Sequence, residues 1–249
     1  MKKKILLLTV LLLSMCHPLF AKTRLADILL RSSAGDYAVL SYNGNQVIFV
    51  VKETDNQSAI VEEIRYTSPF RPPQNWKNIV NSKKGHPKIR IFRVSKDLVE
   101  CFSLSEKLCD LKKINSSPLF ATLLTLDFDK IPEDKLRRIN GGSGSIWHPK
   151  IISEENLEPG DIEALEAYWP RDNSFLSEKR IEIRLTATDI SPFPVWIEIG
   201  EQLKIRSLGI GKKLITPFQY KFQMDNDQST TAEEYNHDLS VETVKESSK

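Results

Sequence analysis

Three late segments alternate with a strict period of two, and no other pattern in the chain narrows its fold as far. In 179–187 the odd positions Ile181, Ile183, Leu185 and Ala187 are apolar, and the even positions Arg180, Glu182, Arg184 and Thr186 are polar. Val195, Ile197 and Ile199 then alternate with Trp196 and Glu198, and Leu203 and Ile205 with Lys204 and Arg206. Successive side chains of a strand point to opposite faces, so this period predicts one buried face and one wet face, as antiparallel sheets have. Opposite charges on the wet face can pair across strands, each pair contributing roughly tenths of a kcal/mol. The short connections suit a three-strand meander.

The first half of the chain carries weaker signals of the same kind. Leu25, Ile28 and Leu29 share one face of a short amphipathic helix, and Gly35 supplies its stop. The β-rich runs 37–42 and 46–51 flank Asn43-Gly44-Asn45, a hairpin signal because Asn and Gly tolerate positive φ. Strands are expected again at 58–66, 88–94 and 98–104, with a Pro-rich loop over 67–86. Ser117-Pro118 opens a helix over 119–126, since Ser caps free N–H groups and Pro suits the first helical position. Further helices are expected at Glu133–Ile139 and, entered through Asp161, at Ile162–Tyr168. The fold class is therefore α+β, mainly antiparallel β.

The N-terminus reads as an export signal. Lys2, Lys3 and Lys4 form a basic start, Ile5–Leu13 an apolar core, and Ala21 a small residue at the cleavage point. That core is far shorter than the roughly 20 residues needed to span a bilayer as a helix. Met15 is bulky where acylation at Cys16 needs a small residue, so cleavage after Ala21 is expected and a lipidated start at Cys16 is the alternative. The formal net charge is +2; residues 1–21 hold three Lys and no acid, which leaves the mature chain at −1. A chain so balanced is no nucleic-acid binder of the strongly basic kind. Residues 224–249 hold seven acids against two Lys and few aliphatics, a composition that cannot bury enough surface to offset its ordering entropy. The expected organisation is a signal peptide at 1–21, one antiparallel β-rich domain at 22–223 and a disordered acidic tail at 224–249. The location is the periplasm or cell envelope of a Gram-negative bacterium, or the medium beyond it.

Two cysteines remain in the mature chain, Cys101 and Cys109. A hairpin turning near Ser105 would place them equidistant from the turn, and an oxidising compartment would let them pair. Closing so short a loop would contribute on the order of 2–3 kcal/mol. Their spacing is not the CxxC of redox and zinc sites.

Candidate chemistry is sparse. His86 and His148 each sit in His-Pro-Lys-Ile, without further ligands at metal spacing, so no metal and no cofactor are expected. Gly141-Gly-Ser-Gly-Ser145 is neither a GxSxG elbow nor a P-loop, although Ser143 with His148 is the best nucleophile pair for a secreted hydrolase. Trp147, Trp169 and Trp196 are the candidate ligand-lining residues, with a structural role in core and turn as the competing reading. General acid–base catalysis needs His, Glu or Asp gathered in a pocket. No such motif stands out, which favours a binding or scaffolding protein over an enzyme. The expected ligand is a lipid or other apolar small molecule, and an envelope protein is the alternative partner, met through the surface and the acidic tail.

The order of helix, antiparallel meander, helical insertions and final meander is that of a curved open half-barrel sheet with a few short helices. In that order, over roughly 23–218, the chain resembles the periplasmic lipoprotein carriers of the LolA-like and LolB-like group. That group wraps a curved antiparallel sheet around an apolar cavity closed by helices and binds acyl chains, so the resemblance implies a greasy ligand. The stretch Tyr168-Trp-Pro-Arg-Asp-Asn-Ser174, with Ile181-Glu-Ile183 and Phe193-Pro-Val-Trp-Ile-Glu-Ile199, also looks like uncharacterised exported proteins of Gram-negative intracellular bacteria.

Overall fold

A computed structural model describes residues 22–42, 45–55, 57–66, 88–104, 111–115, 118–132, 162–186 and 190–222. The signal segment 1–21, the turn residues Asn43 and Gly44, the loop 67–86, the helix expected at 133–139 and the acidic tail lie outside them. No helix among the described residues is long and apolar enough to cross a membrane.

Among the described residues twelve strands form one antiparallel sheet, with two short helices against it. In chain order these are β1 (Thr23–Arg24), α1 (Leu25–Leu29), β2 (Tyr37–Tyr42), β3 (Asn45–Thr54), β4 (Ser58–Tyr66), β5 (Lys88–Ser95), β6 (Val99–Leu104) and β7 (Leu111–Lys113). There follow α2 (Leu119–Thr125), β8 (Asp127–Lys130), β9 (Glu163–Tyr168), β10 (Arg180–Leu185), β11 (Trp196–Ile199) and β12 (Leu203–Gly211). The spatial order is β1-β8-β9-β10-β11-β12-β2-β3-β4-β5-β6-β7. Two meanders, β2–β7 and β8–β12, therefore join where β12 pairs with β2, and β1 closes onto β8.

The sheet is strongly curved. Arg24 on β1 donates from Nη1 to the Lys96 carbonyl at 2.9 Å, in the turn between β5 and β6. Those elements stand near opposite ends of the strand order, so only a sheet bent back on itself brings them together. Register shifts at Val51/Glu53 and Ser207/Gly209 help, since an extra residue in one strand bends it. The result is a curved open half-barrel, the architecture expected from the element order.

The concave face carries the main core. Ala38, Phe49, Val61, Phe92, Leu165, Ile181, Ile183 and Ile197 point inward and are buried under α1 and α2. Phe120 of α2 anchors an aromatic cluster, with ring centroids 4.3 Å from Phe49, 5.4 Å from Phe92 and 6.2 Å from Phe193. Five- and seven-residue helices are too short to be stable alone, so this packing holds them.

The convex face is divided. Over β2–β6 it is apolar, built from Val39, Ile48, Val50, Ile60, Ile64, Ile89 and Ile91, and it packs against Leu214 and Phe218 of the segment 212–222. Lys52 Nζ donates to the carbonyl and Oγ1 of Thr216 at 3.1 and 2.8 Å and to the Phe218 carbonyl at 2.9 Å. The strap begins against Gly35, whose φ of +90° suits a residue without Cβ. A Cβ there would lie 2.9 Å from the Lys213 Cα.

Several expectations need correction. Glu163–Tyr168 is strand β9, not a helix, because both β8 and β10 offer it ladder hydrogen bonds and its Leu165 and Ala167 complete the inner face. Tertiary pairing overrides the helical propensity of Glu, Ala and Leu. Helix α2 starts after Pro118, which itself takes the cap position without a side-chain cap; Ser117 lies outside the described residues. The polar face of β10 is not wholly wet: Glu182 and Arg184 are buried. The β6–β7 hairpin is not centred on Ser105, for Leu104 pairs with Leu111 and the Ile114 amide donates to the Cys101 carbonyl at 2.8 Å. Cys101 thus faces Ile114 across the ladder. Its thiol is free, and Cys109 lies outside the described residues.

Candidate functional site at the inner corner of the sheet

Period two decides which way each charge points. In Val61-Glu62-Glu63-Ile64-Arg65 of β4 the adjacent acids must face opposite sides, Glu62 the convex and Glu63 the concave. Both are buried, at 0% and 1% exposure, and each therefore needs cationic or hydrogen-bonding partners.

Glu63 finds its partners inside the half-barrel. Arg65 Nε binds its Oε1, and Arg90 Nη1 lies 3.5 Å from the same oxygen. Registration extends the cluster. Arg90 stands opposite Ser103 of β6, Ser103 opposite Lys112 of β7, and Arg65 opposite Lys88 of β5. Paired residues share a face, so Arg65, Lys88, Arg90 and Lys112 stand on the same concave side as Glu63, at one corner of the sheet. Glu63 is opposite Phe49 on its other flank, which puts the charged corner directly beside the aromatic cluster. The side chains of Arg65 and Arg90 keep 36% and 25% exposure, so the corner is open to solvent.

Arginine remains protonated and gives up no proton. Cys101, near the same arginines, has its thiol pushed up to about 12 by burial, so it is not a thiolate nucleophile. The described residues hold no group of three or more His, Cys, Asp or Glu that could bind a metal. All four His, with Ser143, lie outside the described residues, as does Trp147.

The other two candidate tryptophans, Trp169 and Trp196, fall on opposite faces. Trp169 is 6% exposed in the inner core and donates from Nε1 to Asp172 Oδ2 at 2.8 Å. The Ser174 hydroxyl and then this indole hold the Asp172 carboxyl below the usual carboxylate range. Trp196 is half-buried on the convex face, opposite Arg184 and Arg206. Around it Glu166, Arg180, Glu182 and Arg184 form an alternating chain of ion pairs at 2.7, 3.2 and 3.1 Å. These charges neutralise one another, which makes that band structural.

Convex-facing Glu62 serves the strap. Tyr220 donates to its Oε1 at 3.0 Å and Lys52 Nζ lies 3.6 Å away. Burial pushes its pKa above the ordinary value, with Thr216, Lys52 and Tyr220 opposing the shift. Sequence reasoning missed both acids. The available signal was two Glu side by side in a run otherwise fit for a buried strand.

Fold and site together define a curved antiparallel half-barrel with an apolar inner face and a cationic corner. The chain is similar in fold to a hypothetical protein of Chlamydia trachomatis, solved at 2.0 Å, with a TM-score of 0.63 at 22% identity over 82% of this chain and 100% of that one. This accords with the expected likeness to uncharacterised proteins of intracellular bacteria, and no link to the lipoprotein carriers emerges from it. No protein-family model and no curated protein matches the sequence.

Proposed function

We propose that this chain is an exported, non-catalytic binding protein of the cell envelope that takes a lipid or other apolar ligand on the inner face of its half-barrel. What supports the reading is the composition of that inner layer, aliphatic and aromatic and packed beneath the two helices, with a cluster of polar groups at its corner. Small-molecule sites are built this way, with apolar walls for affinity and few polar groups for orientation.

Native mass spectrometry of protein purified without detergent tests the reading, with co-purified lipid expected. A ligand-free protein whose hydrolytic activity disappears in His148→Ala would replace it with the hydrolase reading. N-terminal sequencing of the mature protein tests export: a start at Lys22 is expected, an acylated start at Cys16 would make it a lipoprotein, and an uncleaved cytosolic product would refute export.

A further inference from the structure

The strap 212–222 crosses the strands of the convex face instead of pairing with them. Its Leu214 amide donates to the Gly35 carbonyl at 3.0 Å, ahead of β2. Thr216 and Phe218 then meet Lys52 of β3, and Tyr220 meets Glu62 of β4. The Phe222 ring lies 5.2 Å from Phe102 of β6, with the Arg93 guanidinium of β5 5.6 Å from its centroid. No residue of the strap belongs to a strand, so it can leave the face without breaking a ladder. The chain turns from β12 into the strap at Lys213, whose φ is +62°. Left-handed backbone is unfavourable for any residue with a Cβ, and Gly alone adopts it routinely. Were the chain to run straight on from β12, Lys213 would relax to extended backbone and the strap would reach away from its own sheet. Short hinges under strain favour such exchange of an element between copies.

We infer that the convex face takes a second copy of this chain: two molecules open at Lys213, and each lays its strap across β3–β6 of the other. The receiving face is identical, so every contact of the closed strap is rebuilt in the exchanged pair, and two hinges are relaxed. Reciprocal exchange is two-fold symmetric and closes, so it stops at a dimer. An open monomer is disfavoured. It would expose the apolar face of Ile48, Val50, Ile64 and Ile91, and large exposed apolar patches drive association. It would also strip Lys52 of three acceptors on the strap and Glu62 of the Tyr220 hydroxyl. The chain is therefore a closed monomer or an exchanged dimer, and protein concentration selects between them.

The experiment mixes unlabelled and heavy-nitrogen-labelled mature chain in urea with a reductant and refolds them together over a range of concentrations. Size exclusion with light scattering is expected to show a dimer whose share rises with concentration. An amine-reactive cross-linker then joins Lys221 of the strap to Lys113, which pairs with Phe102 beneath Phe222. In the dimer fraction, mass spectrometry should find strap-to-sheet peptides of mixed isotope. Two hinge variants separate backbone strain from the lysine side chain, which both remove. Lys213→Gly accepts the closed turn and should favour the monomer, whereas the β-branched Lys213→Val resists it and should favour the dimer. The dimer dissociation constant of Lys213→Val is expected to be at least about tenfold lower than that of Lys213→Gly. A chain that stays monomeric at every concentration, in Lys213→Val as well, overturns the inference. So does a dimer whose strap-to-sheet peptides are of one isotope only, since its copies are closed. Equal dissociation constants for the two variants also overturn it.

Discussion

Removing one oxygen from Tyr220 should loosen the strap in a pH-dependent way. Tyr220→Phe keeps the ring, which packs edge-on to Phe222 at 5.9 Å, and deletes only the hydroxyl that donates to Glu62 Oε1 at 3.0 Å. Glu62 is fully buried and its Oε2 has no hydrogen-bond partner, so Oε1 carries the satisfaction of the whole group. After the change Glu62 retains Lys52, at 3.6 Å, and Thr216. A hydrogen bond to a charged group contributes about 1.5–3 kcal/mol, so a loss near 2 kcal/mol is expected at pH 7.5. For a domain of this size that lowers Tm by roughly 4–8 °C.

Linkage gives the pH dependence its sign. Burial raises the pKa of Glu62 in the folded state above its unfolded value of 4.5. Between those two values the folded state binds more protons than the unfolded state, so this group's contribution to stability falls as pH rises through the window. Protonated Glu62 no longer places an ionised acceptor in the core, so the penalty for Tyr220→Phe should shrink at pH 5. Urea unfolding followed by tryptophan fluorescence at the two pH values measures this. An unchanged midpoint at pH 7.5, or a larger loss at pH 5 than at pH 7.5, would refute the reasoning.

Three further outcomes follow from the packing. Gly35→Ala should destabilise by about 2 kcal/mol or more, because a left-handed φ costs roughly 1–2 kcal/mol for a residue with Cβ and that Cβ would press on the Lys213 backbone; Gly35→Ala as stable as the parent in thermal melts would contradict it. Phe120→Ala should cost about 3–5 kcal/mol, the range for truncating a buried aromatic ring, since Phe120 touches Phe49, Phe92 and Phe193. A loss under about 1 kcal/mol would mean α2 does not seal the inner core. Cys101, buried with a thiol pushed up to about 12, should resist a thiol reagent at pH 8 in the folded protein and react in urea. Prompt labelling of folded protein at Cys101 would sink that expectation.

How far the sequence reached depends on the range of the interactions involved. Period two in 179–187, 195–199 and 203–206 depends only on the geometry of an extended chain and on the need to bury one face, so β10, β11 and β12 were legible without neighbours. The expected strand 58–66 is β4, and both the short helix at Leu25 and the helix after Pro118 are present, because local apolar periodicity and turn residues marked them. Glu163–Tyr168 was misread because its composition favours helix and only the flanking strands β8 and β10 make it extended.

The candidate site lies beyond what local pattern carries. Alternation alone places Glu63 with Arg65, and Lys88 with Arg90, on one face each, but it does not say that these faces coincide, that Lys112 aligns with them, or that the face is concave. Those facts come from strand register and from the direction in which the sheet curls, both set by contacts between distant segments. The strap shows the same limit. Residues 212–222 have no period to read, and their anchors Lys52 and Glu62 lie 164 residues before Thr216 and 158 before Tyr220. The sequence by itself determined an antiparallel sheet with one apolar face, because that follows from the chemistry of each residue and its near neighbours. Only the tertiary structure decided where the charges on that face meet, because charges so far apart in the chain are brought together by the closure of the whole sheet.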